Sequence, residues 1–318
     1  MQAESLGCVK PVGKLGTGRP PALTPRWRFV LILIAAVTTH RTERNRQLMP
    51  THPLGPGEGL HFEHRPPAAA GGLTFVFFNA LTGDAASWEA MVAPALRAEA
   101  HGTFLWNFRG QKDSPFGTPE AVSAPQIVAD AVTLLAAEAP RRPVYVGLSI
   151  GGLFAAQAHL AGASCAGLLL INTLRKAGPR LEWVNAAVHR AALAGGGRLI
   201  QDLYLPLLSG SAWLAANRRS FLQDQPYEPL DPASGAALLL AAGKGADWDL
   251  PYERLTMPVT VLSGLQDRVF FDAADVAELC ARLPDAERID LADIGHLVTM
   301  ERPQAIVDAC RTLAARVA

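Results

Sequence analysis

The sequence predicts an α/β fold: a mostly parallel twisted sheet with helices on both faces and a helical cap insertion. Three observations carry that expectation. From about residue 60, short and nearly continuous apolar runs alternate with longer amphipathic ones, as strands covered on both faces and their crossover helices do. Between Asn172 and Pro258 the alternation gives way to a helix-leaning stretch rich in Ala and Leu and broken by Gly195-Gly196-Gly197. Gly147-Leu148-Ser149-Ile150-Gly151 follows the apolar run Pro143-Val144-Tyr145-Val146 and opens a helix-like stretch, so it reads as a sharp strand-to-helix turn.

Taken in order, the expected strands are Phe75 to Asn79, Thr103 to Phe108, Pro143 to Leu148, Gly167 to Asn172, Pro258 to Leu262 and Glu287 to Leu291. Between and after them, Trp88 to Ala100, Gln126 to Glu138, Leu153 to Ala161, Ala273 to Leu283 and Gln304 to Val317 read as helices. The last has the clearest period, with Ile306, Cys310, Leu313 and Val317 on one face. The core is therefore expected over residues 49–172 and 258–318, with the cap over 173–257. Inserted after a strand, such a cap roofs the edge of the sheet where ligands of open α/β sheets bind. Trp183, Trp213 and Phe221, with Tyr204 and Trp248, are the aromatic candidates to line a pocket there.

At 318 residues, 49% apolar and 18% charged, the chain is long enough to bury a substantial core. A net charge of zero, with no basic run interleaved with aromatics, argues against a nucleic-acid partner. Cys8, Cys165, Cys280 and Cys310 lack zinc-ligand or disulfide-framework spacing. Motifs for binding metals, phosphates or dinucleotides are missing as well, so no metal and no cofactor is implied. The chemistry falls to side chains.

The first 48 residues differ in character: a Pro/Gly-rich start, an apolar run from Phe29 to Val37, then Arg41, Arg44 and Arg46. The run is too short to span a bilayer, and as a signal h-region it begins late and lacks a good cleavage site. Residues 1–48 are expected to be a disordered extension, or a stretch upstream of Met49 as the working start. A cytoplasmic location is the expectation, a signal or interfacial anchor the competing reading, and no firm membrane partner follows.

The chemistry-bearing residues sit at strand ends. In the turn around Ser149, small residues at Gly147 and Gly151 let strand and helix approach closely and lift the serine hydroxyl above the sheet. The helix N-terminus favours negative charge developing beside it. Pro258-Val259-Thr260-Val261-Leu262 runs out through Ser263-Gly264-Leu265-Gln266 to Asp267, the expected acid. Glu287 to Leu291 leads through Asp293-Ile294-Gly295 to His296, the expected base. Serine, aspartate and histidine thus follow in a chain order different from those of the chymotrypsin and subtilisin architectures. Asp272 and Asp275, close to Asp267, fall where a helix begins and read as capping residues. His159, ten residues past Ser149 on the same helix, is about 15 Å away at helical rise and reads as packing or surface.

With these residues in place, G-L-S-I-G-G, L-S-G-L-Q-D and D-I-G-H followed by E-R-P resemble the α/β-hydrolase superfamily over about residues 60 to 318. Asn107 to Ser114 is similar to the family's R-G-x-G-x-S segment, with Lys112 where a second glycine is usual; Arg109 and Asp113 are expected to brace that loop. Asn79-Ala80 stands where most relatives carry His-Gly. Together with Ile171-Asn172-Thr173, it is similar to enol-lactone hydrolases of the 3-oxoadipate type. The resemblance implies an oxyanion hole built from the backbone N–H groups of Leu81 and Ile150.

The function expected from these features is a serine hydrolase of small-molecule carboxylic esters or lactones, working through a Ser149-His296-Asp267 triad and an acyl-enzyme. A carbon–carbon bond hydrolase or a cofactor-free haloperoxidase-like enzyme is the alternative within the scaffold. A non-catalytic small-ligand binding protein is the alternative of another class.

Overall fold

The computed structural model describes residues 50–220 and 224–317. The apolar run from Phe29 to Val37, Cys8, Phe221 and the expectations resting on them lie outside the described residues. Among the described residues, no helix is long and apolar enough to cross a membrane.

Eight strands form one sheet: β1 (Thr51–Gly55), β2 (Glu58–Arg65), β3 (Thr74–Phe78), β4 (Gly102–Trp106), β5 (Pro143–Leu148), β6 (Gly167–Ile171), β7 (Val259–Gly264) and β8 (Ala286–Leu291). Their order across the sheet is β1-β2-β4-β3-β5-β6-β7-β8. The pairs β1–β2 and β2–β4 are antiparallel, and every pair from β4 through β8 is parallel. Strands β3, β4, β6 and β7 are buried at every position. That is why they read as unbroken apolar runs. The sheet divides two apolar cores, one containing Phe78, Trp106, Tyr145 and Phe154, the other Phe75, Trp88, Val146 and Cys310.

The helices are α1 (Ala86–Glu89), α2 (Val92–Ala98), α3 (Ala124–Glu138), α4 (Ile150–Leu160), α5 (Pro179–Leu208), α6 (Ser211–Asn217), α7 (Gly235–Ala242), α8 (Ala273–Ala281), α9 (Val298–Glu301) and α10 (Pro303–Val317). The single helix expected over Trp88 to Ala100 is two, α1 and α2. Pro94 lacks the N–H that a continuous helix would donate to Ala90, whereas in the first turn of α2 that donor is not needed. Helix α3 begins two residues earlier than expected, where Ser123 Oγ accepts from Gln126 N at 3.4 Å. Helix α8 is capped by Asp272, which accepts from Ala274 N and Asp275 N.

Between β6 and β7 the described chain is helical. Helix α5 is kinked at Gly195 and Gly196; Gly196 has φ 68°, and a side chain there would meet the Glu228 carbonyl oxygen at 2.1 Å. The hairpin β1–β2 is an addition to the expected strands. Its turn, Gly55-Pro56-Gly57, is a plain turn signal. Strand β2 is partly exposed toward its end and rich in His and Glu, so it lacks the apolar run of its parallel neighbours.

Candidate active site

Ser149 follows β5, Asp267 follows β7 and His296 follows β8, so all three lie at the C-terminal edge of the sheet. Ser149 has φ 59° and ψ −126°, a left-handed backbone held by its surroundings. Its N–H donates to the Ile171 carbonyl at 2.7 Å, and its own carbonyl accepts from Thr173 Oγ1 at 2.9 Å. The flanking glycines are required by close approach. A Cβ on Gly147 would lie 2.3 Å from Gly152 Cα, and one on Gly151 would lie 2.3 Å from the carbonyl oxygens of Phe78 and Asn79.

The structure joins Asp267 to His296: Oδ2 and Nδ1 are 2.6 Å apart, and both side chains are buried. The other carboxylate oxygen, Oδ1, accepts from the N–H groups of Val269 and Phe270, each at 2.9 Å. Burial pushes the Asp267 carboxyl up, but the imidazole of His296, the Phe270 N–H and the Arg175 charge outweigh it and hold the group below its ordinary value. The aspartate is therefore a carboxylate that fixes the histidine ring.

Two features position the histidine loop. Asn172, with φ 49°, donates through Nδ2 to the carbonyls of Gly295 at 3.3 Å and His296 at 2.8 Å, while its Oδ1 accepts from Gly264 N at 2.7 Å. One side chain thus ties the ends of β6, β7 and β8 together. The second is the C-terminus of α5, whose last carbonyls have no partner within the helix. Leu207 O accepts from Arg268 N at 2.9 Å, and Leu208 O accepts from His296 N at 2.5 Å. The helical segment therefore holds both the Asp267 and the His296 loops. Glu301 adds a third tie, accepting from Gly210 N at 2.7 Å and Gly295 N at 3.1 Å.

The backbone N–H groups of Leu81 and Ile150 have no hydrogen-bond partner among the described residues. Ile150 is the first residue of α4, where an N–H has no intrahelical acceptor. The Leu81 loop is fastened by a buried amide network. Asn79 Nδ2 donates to Trp106 O at 2.8 Å and Gln111 Oε1 at 2.9 Å, Trp88 Nε1 donates to Asn79 Oδ1 at 2.8 Å, and Gln111 Nε2 donates to Ala80 O at 2.9 Å. Asn79, departing from the usual histidine, thus anchors the loop from below. Lys112 is exposed, and the position before it, Gln111, carries the contact.

A residue that the sequence reasoning missed occupies the centre of the site. Arg175 Nη2 donates to Ser149 Oγ at 2.6 Å and to Asn172 O at 3.2 Å. Its guanidinium lies 4.0 Å from the ring centroid of Phe270 and 4.8 Å from that of Trp248. Burial drives its pKa down to about 10, against the opposing pull of the Asp267 carboxylate. No hydrogen bond joins Ser149 Oγ to His296 Nε2 among the described residues. The signal available in the sequence was position alone: a lone arginine four residues past an apolar strand, at the edge where ligands bind.

Comparison with known proteins agrees with this architecture. The family model described as alpha/beta hydrolase family matches residues 75–309. The chain belongs to the alpha/beta hydrolase family. Among solved structures, this alpha/beta hydrolase is similar to an alpha/beta hydrolase enzyme from a Medee basin deep-sea metagenome library, with a TM-score of 0.69 at 16% identity over 81% of this chain and 94% of that one. It is similar to a thermophilic esterase from Thermogutta terrifontis, with a TM-score of 0.65 at 20% identity over 82% and 94% of the two chains. It is also similar to the enol-lactonase from Burkholderia xenovorans LB400, with a TM-score of 0.65 at 22% identity over 84% and 100%. A search of curated proteins finds no match.

The expected pocket aromatics divide in this alpha/beta hydrolase. Trp183 is 82% exposed near the start of α5, whereas Leu181 in the same turn is buried. Trp213 is half-buried on α6. Trp248 is buried and lies under Arg175. Above the Leu81 loop the helical segment comes close, since a Cβ on Gly243 would lie 2.7 Å from Leu81 Cδ1. Arg109 braces its loop through two carboxylates. Buried, it pairs with Asp130 on α3 at 2.7 Å and with Glu58 at 2.5 Å, whereas Asp113 is exposed. His159 accepts from Cys165 N at 3.2 Å, at the far end of α4 from Ser149.

Proposed function

We propose that this alpha/beta hydrolase cleaves a small carboxylic ester or lactone through an acyl-enzyme on Ser149. The observation that carries the reading is the buried Asp267–His296 pair at 2.6 Å, at the same edge of the sheet as a serine raised on a left-handed turn at the mouth of α4. Similarity in fold to an esterase and an enol-lactonase supports the same substrate class.

In this reading Ser149 Oγ attacks the acyl carbonyl while its proton passes to His296 Nε2. Asp267 keeps the Nδ1–H oriented and stabilises the imidazolium. The carbonyl oxygen, now negative, accepts from the free N–H groups of Leu81 and Ile150. Collapse breaks the ester C–O bond, and the proton on His296 goes to the departing oxygen. Water then attacks the acyl-enzyme, gives its proton to His296 and releases the acid, and the proton returns to Ser149 Oγ. The helical segment, resting over Leu81 and holding both loops through Leu207 and Leu208, acts as a cap over the acyl site.

The test is hydrolysis of short p-nitrophenyl esters beside a folded Ser149→Ala variant and a fluorophosphonate label. Turnover and labelling that both disappear with Ser149 support the reading. Neither activity in the parent protein favours a ligand-binding role for the same site.

A further inference from the structure

Arg175 is a buried cation with no carboxylate at ion-pair distance among the described residues; the Asp267 carboxylate acts on it only from farther away. Among the described residues no carboxylate forms an ion pair with it, whereas the other buried arginine, Arg109, has two. Its Nε is buried and has no hydrogen-bond partner. Taking a charge out of water without pairing it is costly, so sites that do so either neutralise the group or meet a partner of opposite charge. Here aromatic rings cover it: Phe270 and Trp248 each stack against the guanidinium. Stacking satisfies the faces of the plane and leaves its N–H edge for acceptors in the plane. Two of those acceptors are neutral oxygens, Ser149 Oγ and Asn172 O.

We infer that Arg175 is the specificity-determining residue of the acyl site and that the substrate carries a carboxylate a few carbons from the scissile carbonyl. This rests on the ester or lactone reading above. A guanidinium forms paired, charge-assisted hydrogen bonds with a carboxylate that are about twice as strong as those to a neutral oxygen. A substrate carboxylate therefore takes the guanidinium edge from Ser149 Oγ. That exchange has a second effect. While Arg175 donates to Oγ it holds one of the two lone pairs and draws electron density from the nucleophile; once the carboxylate takes over, that pull is released. Recognition of the anion and freeing of the nucleophile are one event, and a neutral ester of the same length gains neither. The short reach follows from the 2.6 Å contact: the N–H edge that holds the carboxylate is the one now touching the nucleophile.

The experiment compares two p-nitrophenyl esters, the monoglutarate and the pentanoate, which match in chain length and leaving group and differ in a terminal carboxylate. The expected result is a kcat/KM at least about tenfold higher for the monoglutarate, as a buried charge-assisted contact gives. In Arg175→Met that ratio collapses toward one, with the loss for the anionic ester in both KM and kcat; Arg175→Lys recovers part of it. A ratio near one in the parent protein, or a ratio unchanged in folded Arg175→Met, overturns the inference. A binding arm separates this from failure of the hydrolase reading, since it needs no turnover. Ser149→Ala is titrated calorimetrically with monomethyl glutarate and dimethyl glutarate. Preference for the anion by about tenfold, lost in Ser149→Ala/Arg175→Met, supports the carboxylate site whether or not the parent protein turns over. Equal binding of monomethyl glutarate and dimethyl glutarate overturns it. If Arg175→Met does not fold, the parent and Arg175→Lys ratios decide on their own.

Discussion

Asn172 Nδ2 donates to the main-chain carbonyl of His296 at 2.8 Å, and through its other amide atom the same side chain takes the N–H of Gly264 at the end of β7. The His296 loop therefore hangs from the residue that follows β6. Asn172→Ala leaves a main-chain carbonyl and an N–H unpaired, which costs about 1–3 kcal/mol. The expected outcome is that loss in urea denaturation together with a kcat about tenfold lower and a KM little changed, because a displaced base affects attack more than binding. Unchanged kcat with reduced stability would assign Asn172 to the fold alone.

The amide network under the oxyanion loop gives a separate test. Gln111 Nε2 donates to the carbonyls of Ala80 and Leu81, at 2.9 and 3.3 Å. Gln111→Leu keeps volume near constant and removes those donors, so the loop carrying the Leu81 N–H loses its fixed position. One lost oxyanion donor costs about a hundredfold in kcat; a partial shift of the loop is expected to cost about tenfold, read by steady-state kinetics. Ala80→Val, which crowds the same loop, is expected to act in the same direction.

Asp267 links activity to acid stability. Its carboxyl lies below the ordinary 3.8 in the folded state. Folding thus favours the ionised form, and this contribution is fully present above about pH 4. It is lost as pH falls through the lower native value, where the folded state takes up its proton. The parent protein is expected to lose stability below pH 4 with a component absent from Asp267→Asn, as measured by urea midpoints across pH. The same variant, with the wrong imidazole tautomer favoured, is expected to lower kcat by about a thousandfold or more.

A purely structural ion pair provides the contrast. Asp130 and Arg109 make a two-pronged bond at 2.9 and 2.7 Å, both side chains buried. Asp130→Ala leaves Arg109 with Glu58 alone and is expected to cost about 3–5 kcal/mol in denaturant stability. Its kcat per folded molecule is expected to stay within about twofold, since none of these groups borders Ser149.

What was legible in the sequence followed from burial pattern. Strands β3 to β7 are covered on both faces, so their apolar runs stand out, and the strand-to-helix turn at Ser149 combines that run with small residues that the backbone approach of Gly147 and Gly151 demands. Strand β2 escaped notice because a partly exposed antiparallel strand mixes His and Glu with its apolar residues. The positions of Asp267 and His296 could be expected because each lies in the loop that follows a strand. Arg175, the Asn172 ties and the carbonyls of Leu207 and Leu208 were not, for they depend on which loop ends meet in space, and neither periodicity nor spacing along the chain encodes that. An aromatic residue in the helical segment carries no such signal of its surroundings, and Trp183 is largely exposed on α5.

Acylation of Ser149 is open to direct capture of the intermediate. The full chain is mixed with a p-nitrophenyl ester, quenched in acid within the first turnovers and digested for peptide mass analysis. An acyl adduct on the peptide containing Ser149 is expected, accompanied by a burst of p-nitrophenol and absent from Ser149→Ala. Turnover of the ester with no adduct on that peptide, or with full activity in Ser149→Ala, would contradict it.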